Sequence, residues 1–428
     1  MSYDCLILGG GIAGLSCGIR LAEKGRRVAV LAAGASALHF SSGCVDLLGR
    51  APGKSPVIRP FDELEGFCSA NPDHPYAKLS PARIREALSF FSAAAEAGGN
   101  PLFHNGEENH FHITGLGMLK PTYLSPGSVF SEEIAQAFFK KKKVVIANFA
   151  GFRDFYPGLA AGNVAGHALF SGCKVTSAQV DLSGLANRSE GHRELRSIDI
   201  ARLFEDPRNW DFLADAVSRV ADGADFVALP ACLGISRHRE VYRIVRERAG
   251  CLLYEVPTLP PSILGMRLDL ALRNRLAELS GVFIAGDRAI SGKTENGKVR
   301  CVTTRINEEP GFSARAYVLA TGSYFSGGLI TRHDMVAEPV FGLSVQRTLP
   351  RNTWYHKEFL APAGHPFFKF GVVTDRDFRA VDAGGNVVEN LFCAGSVLAG
   401  YDPVAECSGC GVALGTGFAV AEKVEGLL

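Results

Sequence analysis

The sequence predicts an α/β fold in which one parallel-sheet unit is interrupted by a second α/β unit and by a small cap. Three observations carry this expectation. Met1–Gly14 reads as a short apolar strand running into a glycine turn and a helix. Apolar runs of strand length, Val144–Phe149, Phe226–Pro230 and Leu252–Val256, alternate with helical patterns in the middle of the chain. From Asn390 the chain returns to the strand, glycine turn and helix of its beginning.

The opening stretch is MSYDCLILGGGIAG, in which Tyr3–Leu8 suits a buried parallel strand. Gly9-Gly10-Gly11-Ile12-Ala13-Gly14 is a G-x-G-x-x-G turn. Gly9 permits the tight turn, Gly11 lets backbone approach a phosphate, and Gly14 lets helix and strand pack closely. The helix expected over about Ile12–Lys24 points its unpaired N–H groups and positive dipole end at that phosphate. Gly25 then serves as a C-cap, and Arg27–Leu31 as the second strand. This context favours a nucleotide cofactor over a glycine turn that merely joins strand to helix. The dinucleotide pattern also asks for an acid at the end of the second strand to hold the adenosine ribose. The chain has Leu31-Ala32-Ala33-Gly34 there, so either a mononucleotide is bound or the ribose is held by backbone groups or Ser36.

Composition bounds the function. A chain of 428 residues has room for two or three domains, and 45 basic against 44 acidic residues leave a formal charge of +1. No basic field for nucleic acid is implied. Eleven cysteines without a framework pattern suit reduced thiols in a cytosolic compartment. The first strand begins too early for a secretion signal, and no apolar run is long enough to cross a bilayer, so membrane association is expected only through a partner.

Further along, Ala37–Leu48 contains His39 and the small Ser41-Ser42-Gly43, which suit either a flat ring's edge or a helix cap. Ala51–Asn71 reads as a crossover, and Ser80-Pro81 opens a helix to about Ala97 that Gly98 and Gly99 end. Lys140–Lys143 forms either an anion site or a solvated strand entrance. Arg188, Arg193, Arg196 and Arg202 lie in a polar stretch, either as a solvated loop or facing an anionic group. Helices are expected near Asn209–Ala221 and His238–Arg248, and over Ser262–Leu279 after the rigid Pro257–Pro261. Strands Val282–Ala285, Lys298–Thr304 and Ala316–Ala320 lead to Thr321-Gly322, and Asn390–Ser396 is a further strand-to-turn element containing Gly395. The helix after Cys407-Ser408-Gly409-Cys410-Gly411 starts with bare amides. Its dipole, on the order of half an elementary charge, favours negative charge at its end. Cys407 and Cys410 are read as small residues at a helix start or as a redox pair.

Together these elements resemble the glutathione-reductase-like flavoproteins of the succinate dehydrogenase and fumarate reductase type. The closer resemblance is to the B-subunit family of anaerobic glycerol-3-phosphate dehydrogenase. It is carried by Gly9–Leu15, Ser36–Leu48, Pro257–Arg267, Gly322–Leu329 and Asn390–Pro403. The resemblance implies a glutathione-reductase-like Rossmann flavin-binding domain (1–55, 262–330 and 386–428), an inserted α/β domain (56–261) and a small cap or β-rich excursion (331–385). It also implies FMN, with FAD as second choice, and no metal site. The expected cofactor contacts are Gly9, Gly11, Gly14, Ser41, Ser42, Gly43, Thr321, Gly322, Gly395, Ser396, Gly409, Cys410 and Gly411. In the wider flavoprotein class an acid usually stands where this chain has Ser396. The implied activity is oxidation of sn-glycerol 3-phosphate to dihydroxyacetone phosphate. Electrons would pass to quinone through an FAD-bearing catalytic subunit and an iron–sulfur membrane-anchoring subunit. His39 is expected as the base and Arg267 as the phosphate ligand. Alternatives are a stand-alone FAD oxidoreductase of the fumarate-reductase type and a non-catalytic flavin relay. The expected location is cytoplasmic, peripheral at the inner face of the cell membrane.

Overall fold

The computed structural model describes residues 2–51, 56–137, 141–185, 194–308, 310–347, 350–359, 361 and 363–428. Lys140, Arg188 and Arg193 lie outside the described residues. The chain divides into two units. The first comprises Met1–Ala37, Val45–Gly99 and Ala271–Leu428, and the second Leu38–Cys44 and Asn100–Leu270.

The first unit is built on a six-stranded sheet in the order Val282–Ala285, Val28–Ala32, Ser2–Leu8, Ser313–Leu319, Val387–Cys393, Arg379–Val381. All neighbours are parallel except the last pair. Every residue of Val28–Ala32 is buried, as expected of a parallel strand covered on both faces. In register, Leu8 lies between Leu31 and Leu319, and Leu319 is paired with Cys393, so several strands end level with one another. The helices Ile12–Glu23, Pro81–Ala97 and Gly409–Leu427 belong to this unit. Pro81–Ala97 starts where the sequence predicts, with the Ser80 side chain accepting from the Arg83 amide at 3.2 Å and proline at the first helical position. Arg20 lies 5.0 Å from the Phe418 ring, and Phe90 stands 5.3 Å from the same ring, so aromatic and cation–π contacts join the three helices.

Two features of this unit differ from the sequence expectation. The stretch read as a crossover, Ala51–Asn71, holds a helix over Pro60–Ala70, with Pro60 at its start and Asp62 and Glu63 complementing the dipole of its first turn. A hairpin arm at Ala289–Glu295 pairs with Lys298–Thr304. That arm is largely solvent-facing, so no buried face imposes an alternating pattern on its sequence.

The second unit carries an all-parallel sheet in the order Leu252–Val256, Phe226–Pro230, Lys143–Phe149, Lys174–Val180. Three of these strands were legible as apolar runs. The fourth, Lys174–Val180, is an edge strand with mostly exposed or half-buried side chains, which is why it reads as polar. Ile146, Phe149, Phe204, Phe226, Leu229 and Tyr254 form the heart of its core. At the strand entrance Lys142 Nζ lies 3.0 Å from Asp225 and Lys143 Nζ 3.3 Å from Asp222, so both ammonium groups are paired with aspartates. The helix Ile263–Glu278 starts in this unit and continues past Ala271 into the first. Among the described residues no helix is long and apolar enough to cross a membrane.

Candidate functional site

The glycine turn of the first unit is closed as the spacing predicts. Gly9 has φ +121°, and the place its Cβ would take is filled by the Ala320 carbonyl oxygen. A Cβ on Gly14 would overlap the Gly9 carbonyl oxygen, which fixes how closely the helix seats on the strand. Gly11 is different. The nearest atom to a Cβ there is Cβ of Ser36, 4.0 Å away, so its side faces open space. The helix that begins beyond it has no side-chain cap and no acid in its first turn. Its leading amides therefore point, uncapped, out of the turn.

The other glycine corners of this unit gather at the same ends of the strands. Gly395 donates its amide to Thr416 Oγ1 at 2.9 Å, and a Cβ on it would lie 2.7 Å from Ala13 Cβ. A Cβ on Gly322 would stand 3.5 Å from Ser396 Oγ, and Thr321 Oγ1 is buried without a hydrogen-bond partner. Gly9, Gly11, Gly14, Thr321, Gly322, Gly395 and Ser396 are thus brought together around the carboxyl ends of parallel strands, where open α/β sheets bind their ligands.

The start of the terminal helix is held by its own buried network. Ser408 makes no side-chain cap. Instead, its hydroxyl donates to Glu406 Oε2 at 2.8 Å, and the same carboxylate oxygen lies 3.1 Å from His74 Nε2. His74 Nδ1 accepts from the Tyr76 amide at 3.0 Å, and Tyr76 donates its hydroxyl to the Leu47 carbonyl at 2.9 Å. One expectation is corrected here: the Gly411 amide is not bare, because it donates to the Asp46 carbonyl at 2.8 Å. Gly411 is required on its side face, where a Cβ would overlap the Tyr76 hydroxyl. Gly409 and half-buried Cys410 stand at the same helix end, and no disulfide joins Cys407 to Cys410.

In the second unit, Ser41, Ser42 and Gly43 form a self-bonded loop. Ser41 Oγ donates to the Leu38 carbonyl at 2.9 Å and accepts from the Gly43 amide at 3.2 Å, while Ser42 Oγ accepts from the Cys44 amide at 3.4 Å. His39 Nε2 lies 3.0 Å from Asp269 Oδ2. Nothing in the sequence marks Asp269, which stands 230 residues away from its partner. Arg267, expected at a substrate phosphate, is buried. It donates to the Gly234 carbonyl at 2.9 Å and to both oxygens of Glu255, at 2.5 and 3.0 Å. Burial alone would raise the Glu255 carboxyl, but the charges of Arg267 and His238 and its hydrogen bonds outweigh that and hold it at about 2.

A flavin nucleotide fits the first unit's donor set. Open backbone at Gly11 suits a phosphate, the uncapped helix start supplies donors, and the unpartnered Thr321 hydroxyl offers a further polar contact. The geometry defines a nucleotide-binding α/β protein, and residues 4–412 match the family described as FAD binding domain. The chain is 38% identical to the B subunit of anaerobic glycerol-3-phosphate dehydrogenase from Aliivibrio fischeri, over 99% of this chain and 95% of that protein. It is 37% identical to the protein of the same name from Pectobacterium atrosepticum, over 99% of both. A structural likeness at 12% identity and TM-score 0.45, over 99% of each chain, is to 3-ketosteroid Δ1-dehydrogenase from Sterolibacterium denitrificans. The chain belongs to the B-subunit family of anaerobic glycerol-3-phosphate dehydrogenase. It is a flavoprotein dehydrogenase subunit, and FMN as the first choice of flavin is not supported by the match to an FAD-binding family.

Proposed function

We propose that this chain is the flavin-bearing B subunit of a glycerol-3-phosphate dehydrogenase that oxidises sn-glycerol 3-phosphate to dihydroxyacetone phosphate, with FAD as its flavin. The observation that carries the reading is the full-length identity to relatives bearing that name. The open side of Gly11 supports where the pyrophosphate lies, with Gly9, Gly14, Thr321, Gly322, Gly395 and Ser396 around it. The missing acid at Ala32 then reflects how the adenosine is held rather than which flavin is bound. Ser36, whose Cβ stands nearest the open side of Gly11, is the proposed ribose contact.

Bound flavin supplies the acceptor for the hydride that leaves C2 of the alcohol. The protein's part is to orient that alcohol and take the hydroxyl proton, which we assign to His39. Gly409 and Cys410 keep their proposed role at the end of the terminal helix. Arg267 is committed to Glu255, so the phosphate ligand is proposed to be another cation. The electrons are proposed to leave for quinone through an FAD-bearing partner subunit and an iron–sulfur subunit that holds the complex at the inner face of the membrane. The full chain should release stoichiometric FAD on denaturation, identified by chromatography and mass. With its partner subunits it should reduce an artificial acceptor on addition of glycerol 3-phosphate. Folded protein that holds no flavin, or a loaded complex inert to this substrate, overturns the proposal.

A further inference from the structure

We propose that Asp269 is a positioning residue that holds the His39 imidazole in the one tautomer able to take a proton from the substrate hydroxyl. This rests on the proposed alcohol oxidation and extends it to a second side chain. Asp269 is 4% exposed, and its Oδ2 lies 3.0 Å from His39 Nε2. A carboxylate can only accept, so the proton sits on Nε2 and the lone pair stays on Nδ1. Nδ1 has no hydrogen-bond partner among the described residues, and the His39 side chain is 21% exposed, which leaves that nitrogen reachable.

The ring's backbone is fixed as firmly as its edge. The His39 carbonyl accepts from the Ser262 amide at 2.8 Å, one residue before the helix that carries Asp269. A Cβ on Gly265 would overlap the Leu38 carbonyl oxygen, and one on Gly43 would stand 2.6 Å from Leu264 Cβ. The segment from Leu38 to Gly43 is therefore seated directly on the first two turns of that helix. A buried carboxylate behind an imidazole whose other nitrogen is free is the arrangement that general-base chemistry uses. The hydroxyl proton of a secondary alcohol reaching this ring would pass to Nδ1, and a bound flavin would supply the acceptor for the C2 hydrogen and its electron pair. The product carbonyl forms, and Asp269 faces the imidazolium.

The test uses the full chain labelled with 15N-histidine, alone and in the assembled complex. Wild type should show His39 protonated at Nε2. Asp269→Asn should shift the ring toward the Nδ1–H form, because an amide can donate to Nε2, and should lower kcat on the order of 10²-fold or more with KM little changed. Asp269→Glu should recover part of both. An Nδ1–H ring in wild type, an unaltered tautomer in Asp269→Asn, or unaltered turnover there while His39→Asn is inactive overturns the inference and leaves the proposed function standing. A wild-type complex without flavin or turnover sinks the function instead, and the tautomer then decides the positioning on its own.

Discussion

Arg267 and Glu255 form a two-point ion pair, Nη1 to Oε2 at 2.5 Å and Nη2 to Oε1 at 3.0 Å, with neither side chain more than 3% exposed. Glu255 Oε1 also accepts from the Leu233 amide at 3.1 Å, and Arg267 Nε spans to the Gly234 carbonyl at 2.9 Å. The pair thus ties the helix start at Ile263 to the last strand of the second unit's sheet and to the loop after Phe226–Pro230. Arg267→Met would leave a buried carboxylate without its cation and should cost about 3–5 kcal/mol in chemical denaturation. A raised KM for glycerol 3-phosphate with unchanged stability would return Arg267 to the substrate.

Gly11 and Gly14 separate binding from folding. Gly11→Ala places its methyl in open space and should leave the thermal midpoint nearly unchanged while flavin occupancy falls about tenfold or more. Gly14→Ala drives a methyl into the Gly9 carbonyl and should destabilise by about 1–3 kcal/mol. Differential scanning fluorimetry of flavin-stripped protein, beside absorbance of the loaded form, measures both. Full flavin content in Gly11→Ala would move the phosphate elsewhere.

The second unit should loosen first in acid. Burial, with the charge of Arg267, lowers His238 to about 4, and burial lowers His110 and His112 to about 3, against an ordinary 6.5. Below about pH 6.5 the unfolded chain binds protons at these histidines that the folded chain refuses, so stability falls with pH through that range. Glu255, held at about 2 against an ordinary 4.5, adds its own loss below about pH 4.5. In the first unit burial instead raises the carboxyls of Glu338 and Asp402, which opposes acid unfolding. The chain's two tryptophans report on the units separately, since Trp210 lies in the second and Trp354 in the first. Acid titration of Trp354→Phe and Trp210→Phe should give the Trp210 signal the higher midpoint. Coincident transitions would contradict this.

The terminal helix start depends on Tyr76. Gly411→Ala would push a methyl into the Tyr76 hydroxyl and toward the Asp46 carbonyl, 3.0 Å from that Cβ. Loss of about 1–3 kcal/mol is expected, and Tyr76→Phe in the same chain should recover part of it by removing the clashing oxygen. A double-mutant cycle in urea gives the coupling, and additive effects would place the strain elsewhere.

Much of the first unit could be read from the chain because local signals there agree. The opening strand and glycine turn, the Ser80 cap and the strand-to-turn element from Asn390 each announce themselves within a few residues. The helix Pro60–Ala70 was hidden by the prolines and glycines just before it, and the edge strand Lys174–Val180 by its exposure. Site partners were harder still. Asp269 pairs across 230 residues with His39, and Glu406 across 332 with His74, and neither carboxylate has a local pattern that names its partner. The amide of Gly411 looked bare for the same reason, since its acceptor at Asp46 is far away in sequence.

The brief segment Leu38–Cys44 belongs to the second unit although the chain on both sides of it belongs to the first. Any attempt to excise 100–270 as an autonomous piece would discard the peptide that seats on Leu264 and Gly265, stripping Asp269 of its imidazole. Dissection of this molecule by proteolysis or gene fusion must therefore carry those seven residues along, spliced ahead of the larger fragment, or the excised body will lack part of its own interior.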